Sequence, residues 1–205
     1  DRMARSTTLY SCQGCGATAP KWAGKCDACG AWNSLVEERV EKQTGKGAKS
    51  TGRSIDLTPL SDAPSAQKVM RLATGMAEFD RVTGGGLVPG SALLIGGDPG
   101  IGKSTLLLQL VTKLAAAGRN TAYITGEESA DQVRMRAARL GVASVPAGLA
   151  TATNAADIAE TVRKDTTLDL VVIDSIQTMY LPGLDSAPGT VSQVRASAHE
   201  LIRAA

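Results

Sequence analysis

The sequence predicts an α/β fold, a mostly parallel sheet with helices on both faces, preceded by a small ribbon domain. Three observations carry that expectation. From about residue 92 onward, apolar runs of strand length alternate with helical patterns, the order that builds a parallel sheet with crossover helices. A glycine-rich segment, Gly96 to Thr105, joins one such run to a helix-forming stretch. All four cysteines fall in two short pairs near the start, Cys12-Gln-Gly-Cys15 and Cys26-Asp-Ala-Cys29.

At 205 residues the chain is long enough for one sizeable domain and a small one. An apolar content of 43% suits a folded globular protein, and no apolar run is long enough to cross a membrane. The 22 basic and 20 acidic residues leave a net charge of +2, which neither demands nor excludes a polyanionic partner. Residues 1–8 read as an N-terminal tail, Asp1-Arg2 ahead of Met3 being a tag remnant. Residues 9–36 read as the ribbon, 37–68 as a flexible linker, and 69–205 as the α/β domain, whose last helical pattern is incomplete at the C-terminus.

In the ribbon, two Cys-x-x-Cys turns facing each other place Cys12, Cys15, Cys26 and Cys29 at the corners of a tetrahedron, the geometry of a structural Zn²⁺ site. Gly16 and Gly30 follow the pairs and permit the tight turns. Two disulfides are the competing pairing; no secretion signal is visible, and a reducing compartment favours the metal. Trp22 and Trp32 are expected to pack against the metal loops, since so small a module has little other core. Stacking on a nucleic-acid base is their alternative role. The linker is rich in Glu, Lys, Gly, Ser, Thr and Pro. Arg39, Lys42, Lys46, Lys49 and Arg53 space positive charge along it, suited to solvation or to tracking a phosphate backbone.

The α/β domain opens with Met70-Arg71-Leu72 and Phe79, approaching Thr83-Gly-Gly-Gly86 and Leu87. Ala92 to Ile95 is expected to be a strand and Leu106 to Leu110 part of a helix, with the glycine loop between them. That context makes Gly97, Asp98, Pro99, Gly100, Ile101, Gly102, Lys103, Ser104 and Thr105 a P-loop for ATP. Its amides cradle the β-phosphate, Lys103 reaches the β- and γ-phosphates, and Ser104 offers its hydroxyl to Mg²⁺. Next come a strand over 120–125 and a helix over 130–140, with a basic face from Arg134, Arg136 and Arg139. A short strand over 149–153, a helix over 155–164 and a buried strand over 168–173 follow.

Asp174 closes that last strand at the carboxyl edge of the sheet, where open α/β folds bind ligands. It is expected to hold Mg²⁺ through a water, with capping of the next helix as its alternative. Gly126-Glu127-Glu128-Ser129 supplies the carboxylates for the attacking water. Glu127 is the favoured base and Glu128 the second candidate, unless both only enrich a helix's first turn. Gln177 is placed to sense the γ-phosphate. The loop from Thr178 to Ser192 is long and rich in Gly, Pro and Ser, a place to grip a ligand in which Tyr180 stacks on a base and Arg195 meets a phosphate, with a loop that makes no contacts as the alternative. The helix over 192–205 carries Val194, Ala198, Leu201 and Ile202 on one side.

Several of these segments together resemble the bacterial RadA (Sms) family of DNA-repair proteins, RecA-like ATPases with an N-terminal zinc finger. They are the two cysteine turns with Pro20 to Glu38, Arg71 to Gly75, Phe79 to Ser91, Gly96 to Thr105, Gly126 to Ser129, and Val172 to Thr178. The resemblance implies an RecA-like ATPase core and an ATP-driven, helicase-like hexameric ring. It further implies binding of single-stranded DNA, branch migration of recombination intermediates beside the RecA recombinase, and a nucleoid-associated place in the bacterial cytoplasm. It assigns nucleotide binding to Gly97–Ser104 and zinc to Cys12, Cys15, Cys26 and Cys29. The family continues with a Lys-Asn-Arg-Phe-Gly motif and a Lon-protease-like domain that this sequence does not contain, so weak nucleotide binding and slow turnover are expected of the chain as it stands. Two other readings remain open at this point: a clock-type ATPase or kinase, which also carries paired glutamates after this strand, and a nucleotide-switched binding module.

Overall fold

The structure, a computed structural model, describes residues 7–12, 17–40 and 70–205. Cys15 and the linker cations Lys42, Lys46, Lys49 and Arg53 lie outside the described residues.

The ribbon is an antiparallel sheet in which β1 (Thr7–Cys12) pairs with both β2 (Thr18–Ala19) and β3 (Leu35–Val40). Its register sets Cys12 opposite Leu35 and Tyr10 opposite Ala19. The buried centre is Cys12, Cys26 and Leu35, with Tyr10, Ala17, Ala19 and Ala23 packed against it. That centre is formed by thiols, Leu35, Tyr10 and alanines, with neither tryptophan among them. Trp22 and Trp32 therefore sit outside it, 58% and 73% exposed, and the expectation that they pack against the metal loops is corrected. β3 runs to Val40, past Val36 where the sequence placed the ribbon's end.

The α/β domain begins with α1 (Ala77–Val82), tied down by a short bridge between Leu72 and Leu87. Arg71 Nη1 donates to the Thr83 carbonyl at 2.9 Å, closing the approach read from the sequence. Three strands then pair in parallel, β4 (Thr121–Thr125) between β5 (Gly148–Thr151) and β6 (Leu170–Asp174). Side chains alternate across this sheet. On one face Tyr123 and Val172 meet Leu108 and Val111 of α2 (Lys103–Ala116) and Val133 of α3 (Ala130–Arg139). On the other, Ile124, Val171 and Ile173 meet Ile158 of α4 (Ala155–Lys164), Met179, and Leu201 of α5 (Val191–Ile202). Helices thus cover both faces, as the alternating pattern requires. Val111 and Leu114 are completely or almost completely buried, and each such side chain contributes about 1.5–3 kcal/mol.

Local chemistry sets the helix starts. Ser129 and Gln132 form a reciprocal capping box on α3, and the Asn154 side chain accepts from the Ala156 amide at 3.0 Å on α4. Thr190 caps α5 through the Gln193 amide. Among the described residues no helix is long and apolar enough to cross a membrane.

Three expectations need correction here. Ala92 to Ile95 is not part of any strand, and Leu93 and Leu94 are exposed. A strand exists by virtue of a ladder, and none of the three paired strands offers this segment one. Arg136 is not on an exposed basic face: it turns inward from α3, 15% exposed, while Arg134 stays outside on Asp131. In α5 the buried positions are Gln193 and Ser197, on the side that also carries Leu201 into the core, while Ile202 is 55% exposed.

Candidate functional site

The glycine loop has the backbone that its sequence demands. Gly100 and Gly102 take φ of +80° and +100°, in the left-handed region, and nothing lies within 4 Å of a Cβ built on either. Conformation therefore calls for glycine there, and the concave side stays open. Gly102 is the N-cap of α2 and makes no side-chain cap bond, so the first-turn amides of α2 need an outside acceptor. An anion fits that end of a helix. Lys103 Nζ lies over the same loop, donating to the carbonyls of Gly97 at 2.7 Å and Asp98 at 2.8 Å. Ser104 and Thr105 follow in the first turn. The donor set fits a polyphosphate: backbone amides, one ammonium and a hydroxyl for a divalent cation.

Topology brings the acidic residues to the same end of the sheet. The α2 helix leads through a four-residue turn into β4, and Thr121 Oγ1 donates to the Val111 carbonyl at 3.1 Å. The C-terminal end of α2 thus lies at the start of β4, and the glycine loop lies toward the strands' carboxyl ends. There Thr125 stands opposite Asp174, and the Gly126 amide donates to the Asp174 carbonyl at 3.0 Å. The peptide bond between Asp174 and Ser175 is cis. Buried Thr125 accepts from the amides of Glu127 and Glu128 at 3.3 and 3.0 Å and so shapes the turn carrying both glutamates.

The two glutamates part company from that turn. Glu127 is exposed at the sheet edge and accepts from the hydroxyl of Ser175, the neighbour of Asp174, at 2.5 Å. Glu128 points back to α3 and pairs with Arg136. Tyr123, 1% exposed, donates its phenol to Asp174 from the middle of β4. Burial and then the carboxylate it serves push the Tyr123 phenol well above its ordinary pKa, so it acts as a donor throughout the usual pH range. Burial pulls the Arg136 guanidinium down, but the Glu128 carboxylate more than offsets this and the net shift is upward. Tyr123 was missed from the sequence, and Arg136 was read as part of a basic face and not as a partner of Glu128. A signal was present for Arg136, which lies three residues after the buried Val133 and next to Ala137 on the packed stripe of α3.

The remaining candidates are spread along the segment after β6. A 3₁₀ turn, Ile176–Thr178, presents Gln177 to solvent. Tyr180 is held by its backbone: its amide donates to Thr153 and its carbonyl accepts from Ala155, both at 2.9 Å. Arg195 is exposed on α5. The loop between them is fastened by the buried Gln193 side chain. Its Oε1 accepts from the Leu181 amide at 2.8 Å, and its Nε2 donates to the carbonyls of Leu184 and Ser186 at 3.1 and 3.0 Å. Gln193 too was missed, because a glutamine in a helix pattern reads as solvent-facing.

In the ribbon, the sulfurs of Cys12, Cys26 and Cys29 lie within 4.8 Å of one another, with Cys12 and Cys29 3.6 Å apart. Tetrahedral zinc with Zn–S bonds of about 2.3 Å sets its sulfurs about 3.8 Å apart. These three thiols fit zinc. Ser34 Oγ accepts from Cys12 at 3.2 Å and donates to the Ala31 carbonyl at 3.1 Å, bracing the cluster.

Comparison with known proteins finds different family models for two stretches of the chain. A protein-family model described as KaiC, an ATPase, matches residues 72–146, and one described as a rubredoxin metal binding domain matches residues 10–37. DNA repair protein RadA of Brucella abortus is 50% identical over 98% of the chain. The proteins of that name from Pseudomonas aeruginosa and Bacillus subtilis are 48% and 42% identical over 98% and 99% of it. The chain spans 44–45% of the length of these relatives.

Proposed function

Since the chain belongs to the RecA-like family of these bacterial DNA repair proteins, we propose that it binds Mg²⁺-ATP on the Gly97–Thr105 loop and hydrolyses it with Glu127 as the base. The observation that carries this reading is the divergence of the two glutamates. Glu127 stands at the sheet edge beside Ser175 and Asp174, whereas Glu128 is committed to Arg136. A carboxylate engaged by a guanidinium is turned away from the phosphate site, so Glu127 takes the proton of the attacking water. Asp174 and Ser104 hold Mg²⁺, which neutralises charge on the phosphates when bound. Lys103 leaves the loop carbonyls for the phosphate oxygens. Glu128 and Arg136 keep the glutamate turn in place.

Hydrolysis serves movement on DNA. In this reading the protein works as a hexameric ring in the cytoplasm, at the nucleoid, binds single-stranded DNA, and drives branch migration of recombination intermediates alongside the RecA recombinase. Tyr180 and Arg195 contact the strand from the segment that follows the Asp174 strand. Gln193, which fastens that segment, lets a change at Asp174 reach it. The ribbon, with Cys12, Cys15, Cys26 and Cys29 on zinc, accompanies the motor. A clock-type kinase shares the ATPase match but not the ribbon.

The test is ATP hydrolysis with and without single-stranded DNA, on the chain and on a full-length relative. Stimulation by DNA that disappears in Lys103→Ala supports the motor. Turnover of the relative that ignores DNA refutes it.

A further inference from the structure

Both tryptophans of the chain are in the ribbon, and both are exposed. They are also near each other. A Cβ built on Gly24 would stand 3.9 Å from Cη2 of Trp22 and 3.9 Å from Cζ3 of Trp32. Both rings therefore border the same small residue, and no bulkier side chain separates them from it. The backbone holds this arrangement to the metal turn: Trp32 bridges Lys25, the Asn33 amide donates to the Gly24 carbonyl at 2.8 Å, and the Cys26 amide donates to the Ala31 carbonyl at 2.9 Å.

Cations accompany the rings. Lys25 Nζ lies 5.7 Å from the centroid of Trp32, within cation–π range, and exposed Lys21 directly precedes Trp22. The acidic residue of the same stretch, Asp27, belongs to the turn between the two metal thiols Cys26 and Cys29. Two large apolar faces left in water on so small a module mark a contact surface. Flat aromatic faces interleaved with ammonium groups have the chemistry of single-stranded nucleic acid, in which bases stack and phosphates meet the cations. Tryptophan also anchors protein interfaces, but the lysines flanking both rings favour a polyanionic strand over an apolar groove.

We propose that Trp22 and Trp32, with Lys21 and Lys25, form a base-stacking site for single-stranded DNA on the zinc ribbon. This deepens the DNA-motor reading and rests on it: the ribbon becomes a second grip on the strand, outside the ATPase domain.

Because these are the only two tryptophans, the intrinsic fluorescence of the chain reports on these rings alone. The experiment titrates the zinc-loaded chain, in Mg²⁺-ATP, with a short oligothymidylate, following both tryptophan emission and binding by anisotropy of a labelled strand. The expected result is quenching that saturates with binding, and an affinity about tenfold lower in Trp22→Ala and in Trp32→Ala. Trp22→Phe and Trp32→Phe are expected to retain most of the affinity, and zinc content is expected to match the parent in every variant. Binding without quenching, at the parent's affinity in both alanine variants, overturns the stacking site and leaves the DNA reading standing. Absence of any binding by the parent chain overturns the stacking site, and absence of binding by a full-length relative as well overturns the DNA reading with it. Quenching by a protein partner with none by DNA reassigns the surface and overturns the proposal.

Discussion

Gly126→Ala probes the join between the glutamate turn and the Asp174 strand. A Cβ built on Gly126 would stand 2.2 Å from Thr178 Oγ1 and 3.0 Å from both Thr178 Cβ and Met179 Cε. Neither neighbour yields easily. Thr178 Oγ1 donates to the Ser175 carbonyl at 2.9 Å, and Met179 is completely buried. Overpacking of this kind costs about 1–3 kcal/mol. Rotating Thr178 away forfeits its hydrogen bond, worth about a further 1 kcal/mol. The expected loss of stability is therefore about 2–4 kcal/mol, read as a lower urea midpoint at unchanged m-value. The same push separates Glu127 from Ser175, and a displacement near 1 Å lowers hydrolysis by about 10²-fold. Adding Thr178→Ala removes the hydroxyl contact, the most severe of the three, and leaves the Cβ of residue 178 and Met179 Cε, both at 3.0 Å, as the remaining close neighbours. The double variant is expected to recover more than half of the lost stability, a coupling that a double-mutant cycle measures. Gly126→Ala within about 0.5 kcal/mol of the parent refutes this steric reasoning.

Three further outcomes follow from named contacts. Tyr123→Phe takes from Asp174 a hydrogen bond to a charged group, worth about 1.5–3 kcal/mol. It is expected to raise the Mg²⁺ concentration needed for half-maximal nucleotide binding while leaving binding in EDTA unchanged; an unaltered Mg²⁺ dependence contradicts it. Asp80 is held below the usual carboxylate range, first by the Thr74 amide at 2.9 Å and also by the Thr74 hydroxyl and the Gly75 amide. Its folded pKa is depressed, so its contribution is complete above about pH 4 and disappears as pH falls through the folded value. Carbon NMR is expected to give a midpoint below the ordinary aspartate value, and a midpoint at or above that value counts against the contact. Cys26→Ser is expected to abolish zinc binding and unfold the ribbon, with the helical circular dichroism of the α/β domain retained; retention of zinc by the variant contradicts the assignment.

Much of the fold was legible because its determinants are local. The α4 helix matches its expected span of 155–164 at both ends, since Asn154 caps one end and an apolar stripe through Ile158 defines the body. The glycine loop is likewise written in adjacent residues, where backbone conformation and glycine identity coincide. What was not legible depends on distant partners. Ala92–Ile95 has the composition of a strand, yet pairing is supplied by a neighbour and not by the segment. Sequence favours Glu127 over Glu128, but what each carboxylate meets, Ser175 for one and Arg136 for the other, is set by partners distant along the chain. Tyr123 reads as one apolar residue of a buried strand until its register beside Val172 puts its hydroxyl on Asp174. The tryptophans were misplaced because Leu35, Tyr10 and alanines pack against the thiols in their stead.

The account turns on Glu127 as the base at a P-loop site, and single-turnover hydrolysis of Mg²⁺-ATP tests it most directly, with protein in excess so that slow chemistry is still read. Nucleotide binding is measured beside it for the parent, Lys103→Ala, Glu127→Gln and Glu128→Gln. Lys103→Ala is expected to lose binding. Glu127→Gln is expected to bind as the parent does and hydrolyse about 10²–10⁴-fold more slowly, while Glu128→Gln lowers stability and retains more of the chemistry. Hydrolysis at the parent's rate by Glu127→Gln contradicts the account, as does a folded Glu128→Gln that has lost the chemical step.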